Sequence, residues 1–166
     1  MNAAPEFARP IRVTHLPAAG LALRLEASPA ECAALAARLG LLALHGFWSE
    51  LSLKPETAGG VRVTGALNAS VEQACVVSLE PVSQRVRETF TLRILREGET
   101  PSEDPDAEDE VETLDGRAEL GEVLAQLLAL ALDPYPRLEG AELPEHVADG
   151  PSGPFAALSR LRPEKP

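Results

Sequence analysis

Between Val61 and Ile94 apolar and polar residues alternate for more than thirty positions, a period that fits half-buried strands and not a helix. Val61, Val63, Leu67, Ala69, Val71, Cys75, Val77 and Leu79 fall on one phase, with Arg62, Thr64, Asn68, Ser70, Glu72 and Ser78 on the other. Glu80-Pro81 interrupts the run. Beyond it Val86, Phe90, Leu92 and Ile94 face one way and Arg85, Arg87, Thr89, Thr91 and Arg93 the other. Two such runs around a Pro-containing break predict a long antiparallel hairpin, apolar on one side and arginine-bearing on the other.

An apolar sheet face needs a cover, and the flanking segments offer two helices. Ser28-Pro29-Ala30-Glu31 is a capping box with proline at the first helical position, so the Ser28 and Glu31 side chains each satisfy a backbone donor of the first turn. Cys32, Leu35, Ala36 and Leu39 keep helical spacing behind it, and Gly40 supplies a left-handed stop. Leu120, Val123, Leu124, Leu127, Leu128 and Ala131 mark a second amphipathic helix ending at Asp133-Pro134. Further strands are expected at Ile11–Val13 and Leu21–Leu25, joined as a hairpin through Pro17–Gly20 after a frayed start, and from Leu42 to Lys54. Together these predict an α+β fold: a mainly antiparallel twisted sheet with two helices, closure into a barrel being an alternative. Residues 1–134 form the expected domain, and 135–166 a Pro/Gly-rich tail with a short amphipathic segment at 154–162.

The net charge is −11, which taken alone argues against nucleic acid as a partner. Its distribution changes that reading. No basic residue lies between Arg96 and Arg117, where Glu97, Glu99, Glu103, Asp104, Asp106, Glu108, Asp109, Glu110, Glu112 and Asp115 cluster. The rest of the chain is nearly neutral, and 97–113 is expected to be a mobile acidic loop with too little apolar surface to order itself. The two cysteines, Cys32 and Cys75, cannot make a disulfide framework, and neither a secretory leader nor an apolar run of membrane-spanning length is visible. A cytoplasmic, reducing compartment is the expectation.

The core Cys75-Val76-Val77-Ser78-Leu79-Glu80-Pro81, set between alternating strands, resembles the turn region of the YceD family of bacterial proteins. Relatives usually carry Cys-x-x-Cys followed by proline; here Cys75 and Pro81 hold the expected places and Ser78 stands where the second cysteine would be. Two more blocks resemble the family. Asp115-Gly116-Arg117-Ala118-Glu119-Leu120 leading to Leu127-Leu128-Ala129-Leu130-Ala131-Leu132-Asp133-Pro134 is similar to its Gly-x-Ile-Asp-Leu helix ending in Leu-Ala-Leu-Pro, and Gly153-Pro154-Phe155-Ala156-Ala157-Leu158-Ser159-Arg160-Leu161 resembles its closing Asn-Pro-Phe-Ala-x-Leu-x-x-Leu-Lys, with Gly153 in place of Asn. The family also places a variable acidic insertion before that helix. The resemblance implies a role in accumulation of large-subunit ribosomal RNA and ribosome assembly, with no established catalytic residues.

The residues themselves narrow the chemistry. A structural zinc site wants four Cys or His ligands at short spacings, whereas Cys75 is followed by Ser78 and, downstream, by Pro136, Arg137 and Glu139, with His15, His45 and His146 scattered. No metal or other cofactor is expected, and Cys32 and Cys75 read as small core residues. No nucleophile motif or phosphate-cradling glycine loop is present, so an enzyme is the weakest reading. Arg62, Arg85, Arg87 and Arg93 on the polar strand phase are the candidate RNA contacts, since guanidinium forks bind phosphate and stack on bases. Trp48, on the polar phase of its strand, either stacks on a base or an arginine or covers a core edge. The expected partners are large-subunit rRNA or a pre-ribosomal particle, with no membrane. A basic ribosomal protein is the alternative, reached through the acidic loop or through Phe155, Leu158, Leu161 and Arg162 in the tail.

Overall fold

The computed structural model describes residues 5–57, 59–104 and 106–142. Its centre is three long antiparallel strands: β3 (Ala43–Pro55), β4 (Val61–Ala74) and β5 (Pro81–Ile94). The alternation in the sequence sets the register. Val61 pairs with Ile94 and Ala74 with Pro81, so the hairpin runs unbroken along its whole length. Val63, Leu67 and Val71 are fully buried, while Arg62, Asn68 and Ser70 on the opposite phase stay partly exposed. The phase fails only past Cys75: Val77 and Leu79 sit in the connecting turn, and Leu79 is 76% exposed with a positive φ of 63°.

On one side β2 (Leu21–Glu26) pairs antiparallel with β3, and on the other β6 (Asp109–Val111) joins β5 in parallel. The five strands run β2-β3-β4-β5-β6. The sheet is open, so the barrel alternative does not hold.

Both helices cover the apolar face. α1 (Pro29–Leu39) has the expected capping box: the Glu31 amide donates to Ser28 Oγ at 3.3 Å, the Ser28 amide to Glu31 Oε2 at 2.7 Å, and Gly40 closes the helix at φ 66°. Cys32 is buried on its inner stripe. α2 (Leu120–Ala131) buries Leu120, Leu124, Ala125 and Leu128 in the same core as Leu35, Phe47, Leu67 and Leu92. Arg38 of α1 grips Glu122 of α2 with contacts of 2.8 and 2.6 Å, linking the two. Burying side chains of this size stabilises by about 1.5–3 kcal/mol each. The opposite face of the sheet has no layer over it among the described residues.

Three expectations need correction. The first hairpin does not form: β1 (Pro10–Arg12) pairs with β7 (Arg117–Glu119), the strand that leads into α2, and not with β2. The start of the chain is not frayed at Phe7, which is 1% exposed and packs on Phe47 with ring centroids 5.4 Å apart. Gly121 permits this seat, because a Cβ there would come within 1.9 Å of the Phe7 carbonyl oxygen. Arg9 then lies over the Phe7 ring and forks onto Glu31 at 2.8 and 2.9 Å.

The third correction concerns the acidic segment, which does not hang free of the body. β6 lies within it, the Leu95 amide donates to the Val111 carbonyl at 2.9 Å, and Thr113 Oγ1 donates to the Leu95 carbonyl at 2.7 Å. The segment after α2 is also tied at its start. The Val76 amide donates to the Pro136 carbonyl at 2.8 Å and Gln73 Nε2 to the Asp133 carbonyl at 3.0 Å. Phe155, Leu158, Leu161 and Arg162 lie outside the described residues.

Candidate nucleic-acid interface

The strand phase puts all four candidate arginines on the uncovered face, yet they occupy two different settings. β4 and β5 are antiparallel, so Arg62 pairs with Arg93 at one end of the hairpin, while Arg87 pairs with Asn68 and Arg85 with Ser70 toward the other.

At the Arg62/Arg93 end the guanidiniums are held by the protein's own carboxylates. Arg62 contacts Glu56 at 2.9 Å and Glu108 at 2.7 Å. Arg93, with 22% of its side chain exposed, contacts Glu99 at 2.9 Å, Glu56 at 3.1 Å and Glu110 at 3.4 Å. Glu56 bridges the two arginines, and the other three acids come from the acidic segment. Hydrogen bonding to Glu108 and then Glu56 raises Arg62 above its ordinary value, and bonding to Glu99 does the same for Arg93. Glu99 is lowered, first by the Arg96 amide and then by Arg93.

At the other end Arg85 and Arg87 are exposed and make no ion pair among the described residues. Glu72, on the same phase of β4 as Ser70, is bound to His45 Nε2 at 2.9 Å. Arg85 and Arg87 border a shallow groove of about 380 Å³ lined by Gly46, Trp48, Asn68, Ser70 and the two arginines, with Ala69 and Val86 in its floor. Two cross-strand rows build it: Trp48–Asn68–Arg87 and Gly46–Ser70–Arg85. A register shift between Leu44 and Gly46 in β3 brings the glycine opposite Ser70. Trp48 carries the Arg24 guanidinium 4.1 Å over its ring, and Arg24 is in turn held by Glu26 at 3.1 Å. The tryptophan thus lies on the polar face stacked on an arginine, and it is not among the residues of the core or packed against it, so the core-edge alternative does not hold.

The turn beyond this end, Cys75–Glu80, is closed by the Cys75 amide donating to the Glu80 carbonyl at 2.8 Å. Cys75 is fully buried. Its sulfur accepts from the amides of Val77, Ser78 and Leu138, each at 3.4 Å. The Ser78 side chain first, then these amides, lower the thiol to about 6. Ser78 therefore hydrogen-bonds the sulfur from the position where relatives place a second sulfur. Among the described residues this turn brings one sulfur, that of Cys75, and no group of Cys, His, Asp and Glu is placed to hold a metal ion, so the four-ligand set of a structural zinc site is not assembled there.

The acids that neutralise Arg62 and Arg93 and the placing of Trp48 and Gly46 beside Arg85 and Arg87 were not read from the sequence. The odd-even phase identified the face. Only the pairing register, the bulge in β3 and the return of the acidic segment decide which arginines it leaves open.

A search of curated proteins found no match, and neither did a search of solved structures. A scan against family models matched the one described as "Large ribosomal RNA subunit accumulation protein YceD" over residues 63–161. That span takes in β4, the Cys75 turn, β5, the acidic segment and α2, more than half of the chain, and the protein accordingly belongs to the YceD family.

Proposed function

We propose that this protein is a non-enzymatic, cytoplasmic factor in biogenesis of the large ribosomal subunit, and that it supports accumulation of large-subunit rRNA by binding the precursor RNA or an early particle through Arg85 and Arg87. The family description supports the process. The observation that supports the contact is the pair of exposed guanidiniums on an uncovered sheet face, with no carboxylate among the residues lining the groove beside them. Unpaired arginines of this kind bind phosphate with charge-assisted forks. Arg62 and Arg93, already held by four glutamates, contribute the smaller share of the contact.

Co-sedimentation tests the reading. A tagged protein is expected to travel with large-subunit precursor particles through a sucrose gradient, and Arg85→Glu with Arg87→Glu to move it to the top fractions. Unchanged co-sedimentation of the double variant refutes the contact.

A second reading has one observation in its favour: Glu103, Asp104 and Asp106 of the acidic segment are exposed and form no ion pair among the described residues. A polyanion of this kind can engage a basic ribosomal protein as RNA would. Deleting the segment would also remove β6, so the clean test is Glu103→Gln, Asp104→Asn and Asp106→Asn together. Loss of a basic ribosomal protein from a pull-down supports the adaptor reading; its retention rejects it.

A further inference from the structure

We propose that the groove between Trp48 and Arg85/Arg87 is a subsite for one unpaired base of single-stranded RNA, stacked against the Trp48 indole with the flanking phosphates on the two arginines; this rests on the arginine contact proposed above. The lining chemistry selects such an occupant. Two cations and no carboxylate border the groove, which matches a phosphate-bearing ligand, and its one aromatic ring supplies a stacking surface. Asn68 stands between Trp48 and Arg87 in the same cross-strand row, with Ser70 between Gly46 and Arg85 in the next. An amide offers both donors and an acceptor to a base edge, and the hydroxyl offers one of each kind. Arg85 and Arg87 are two residues apart on one strand, hence about 7 Å apart along it, a separation that suits successive phosphates of an extended chain.

The indole is also pre-set. Arg24 lies over its ring and is itself fixed by Glu26, at 4.1 and 3.1 Å respectively. Arginine on one side and a base on the other give the ring a partner in each direction, with little side-chain ordering left to occur on binding. A duplex cannot use the groove. Its bases are stacked and paired, and an A-form helix offers only backbone and a shallow minor groove to such a surface. Gly46 lines the groove and a Cβ there meets nothing within 4 Å, so a larger side chain at this position starts from open space at the groove wall and is expected to narrow it.

Trp48 is the only tryptophan in the chain, so its fluorescence reports the stacking directly. Titration with an eight-nucleotide oligo(A) is expected to quench it, whereas a blunt-ended, GC-rich RNA duplex that stays paired at the titration temperature leaves it unchanged. Fluorescence polarisation of labelled RNA then compares variants whose folding is verified by circular dichroism. Gly46→Leu and Trp48→Ala are each expected to weaken oligo(A) binding about tenfold with duplex affinity unaltered, and Trp48→Phe to retain most of it. If single strand and duplex bind alike, without quenching and without response to Gly46→Leu, while Arg85→Glu/Arg87→Glu weakens both, the subsite is overturned and the arginine contact stands. If neither RNA binds the unaltered protein, both readings fall.

Discussion

The two ends of the β4–β5 hairpin carry the same residue type on the same strand phase and put it to opposite use. At one end Arg62 and Arg93 are stapled by Glu56, Glu99, Glu108 and Glu110. At the other, Arg85 and Arg87 border an open groove with Trp48. What separates them is where the acidic segment returns. β6 pairs with β5 at Leu92–Ile94, so its carboxylates reach the Arg93 end and stop short of Arg85. A positively charged strand face is therefore a property of the strand only until the rest of the chain comes back to it, and the net charge of −11 conceals two neighbouring cations that make no ion pair among the described residues.

The ends also differ in what fixes them, ion pairs in one case and hydrogen bonds to a sulfur in the other, and this makes the contrast breakable. The largest effect is expected from Arg85→Glu with Arg87→Glu, which should weaken RNA affinity by about 100-fold, one order of magnitude for each charge-assisted fork to phosphate. Polarisation titrations across a range of salt should also show the logarithmic salt slope of single-strand binding falling by about 1.4. Equal effects from the Arg62/Arg93 end would erase the distinction.

Next in size is the reverse experiment. Glu99→Gln, Glu108→Gln and Glu110→Gln together should leave Glu56 as the one carboxylate paired with Arg62 and Arg93 among the described residues and strengthen RNA binding by about fivefold. The same variant should melt at a lower temperature, because the two arginines then lack partners that hold the acidic segment to the body.

A third effect separates the ends by pH. The Cys75 thiol is lowered to about 6 from 9.0. Between those values the unfolded chain binds the proton and the folded one does not, so stability rises as pH goes from 6 to 9 and is lost again on the way down. Glu99 is lowered from 4.5, and its contribution is complete above that value and disappears as pH falls through the lowered one. Denaturant melts at a series of pH values should show both limbs, and Cys75→Ser should remove the upper limb alone. The smallest change is expected from Arg62→Gln, with RNA affinity within about threefold of the unaltered protein, since a guanidinium already paired on the surface adds little.

Much of this architecture is legible in the chain. Period-two alternation identified β3, β4 and β5 and their buried phase, and the Ser28/Glu31 box with Gly40 bounded α1. Each signal is local, set by which face a residue presents or which backbone donor it satisfies. The misses are non-local. β1 lies more than a hundred residues from β7, and nothing in Pro10–Arg12 distinguishes that partner from nearby β2. β6 is Asp109-Glu110-Val111, too short and too acidic to show a strand pattern, and it exists because β5 offers an edge. The site divides likewise: the arginine face followed from phase, whereas the guanidinium–glutamate pairs and the neighbourhood of Trp48 depend on register across three strands. The sulfur-centred turn was hidden for a different reason, since three of the bonds to Cys75 come from backbone amides, which leave no mark on side-chain pattern.

Ultraviolet crosslinking in cells, followed by identification of both the attached RNA and the attached peptides, tests the central claim most directly. The account predicts large-subunit rRNA joined to peptides spanning Gly46–Trp48 and Arg85–Arg87. Recovery of that RNA only on peptides from the helix-covered face or the Arg62/Arg93 end, or recovery of no ribosomal RNA, would contradict it.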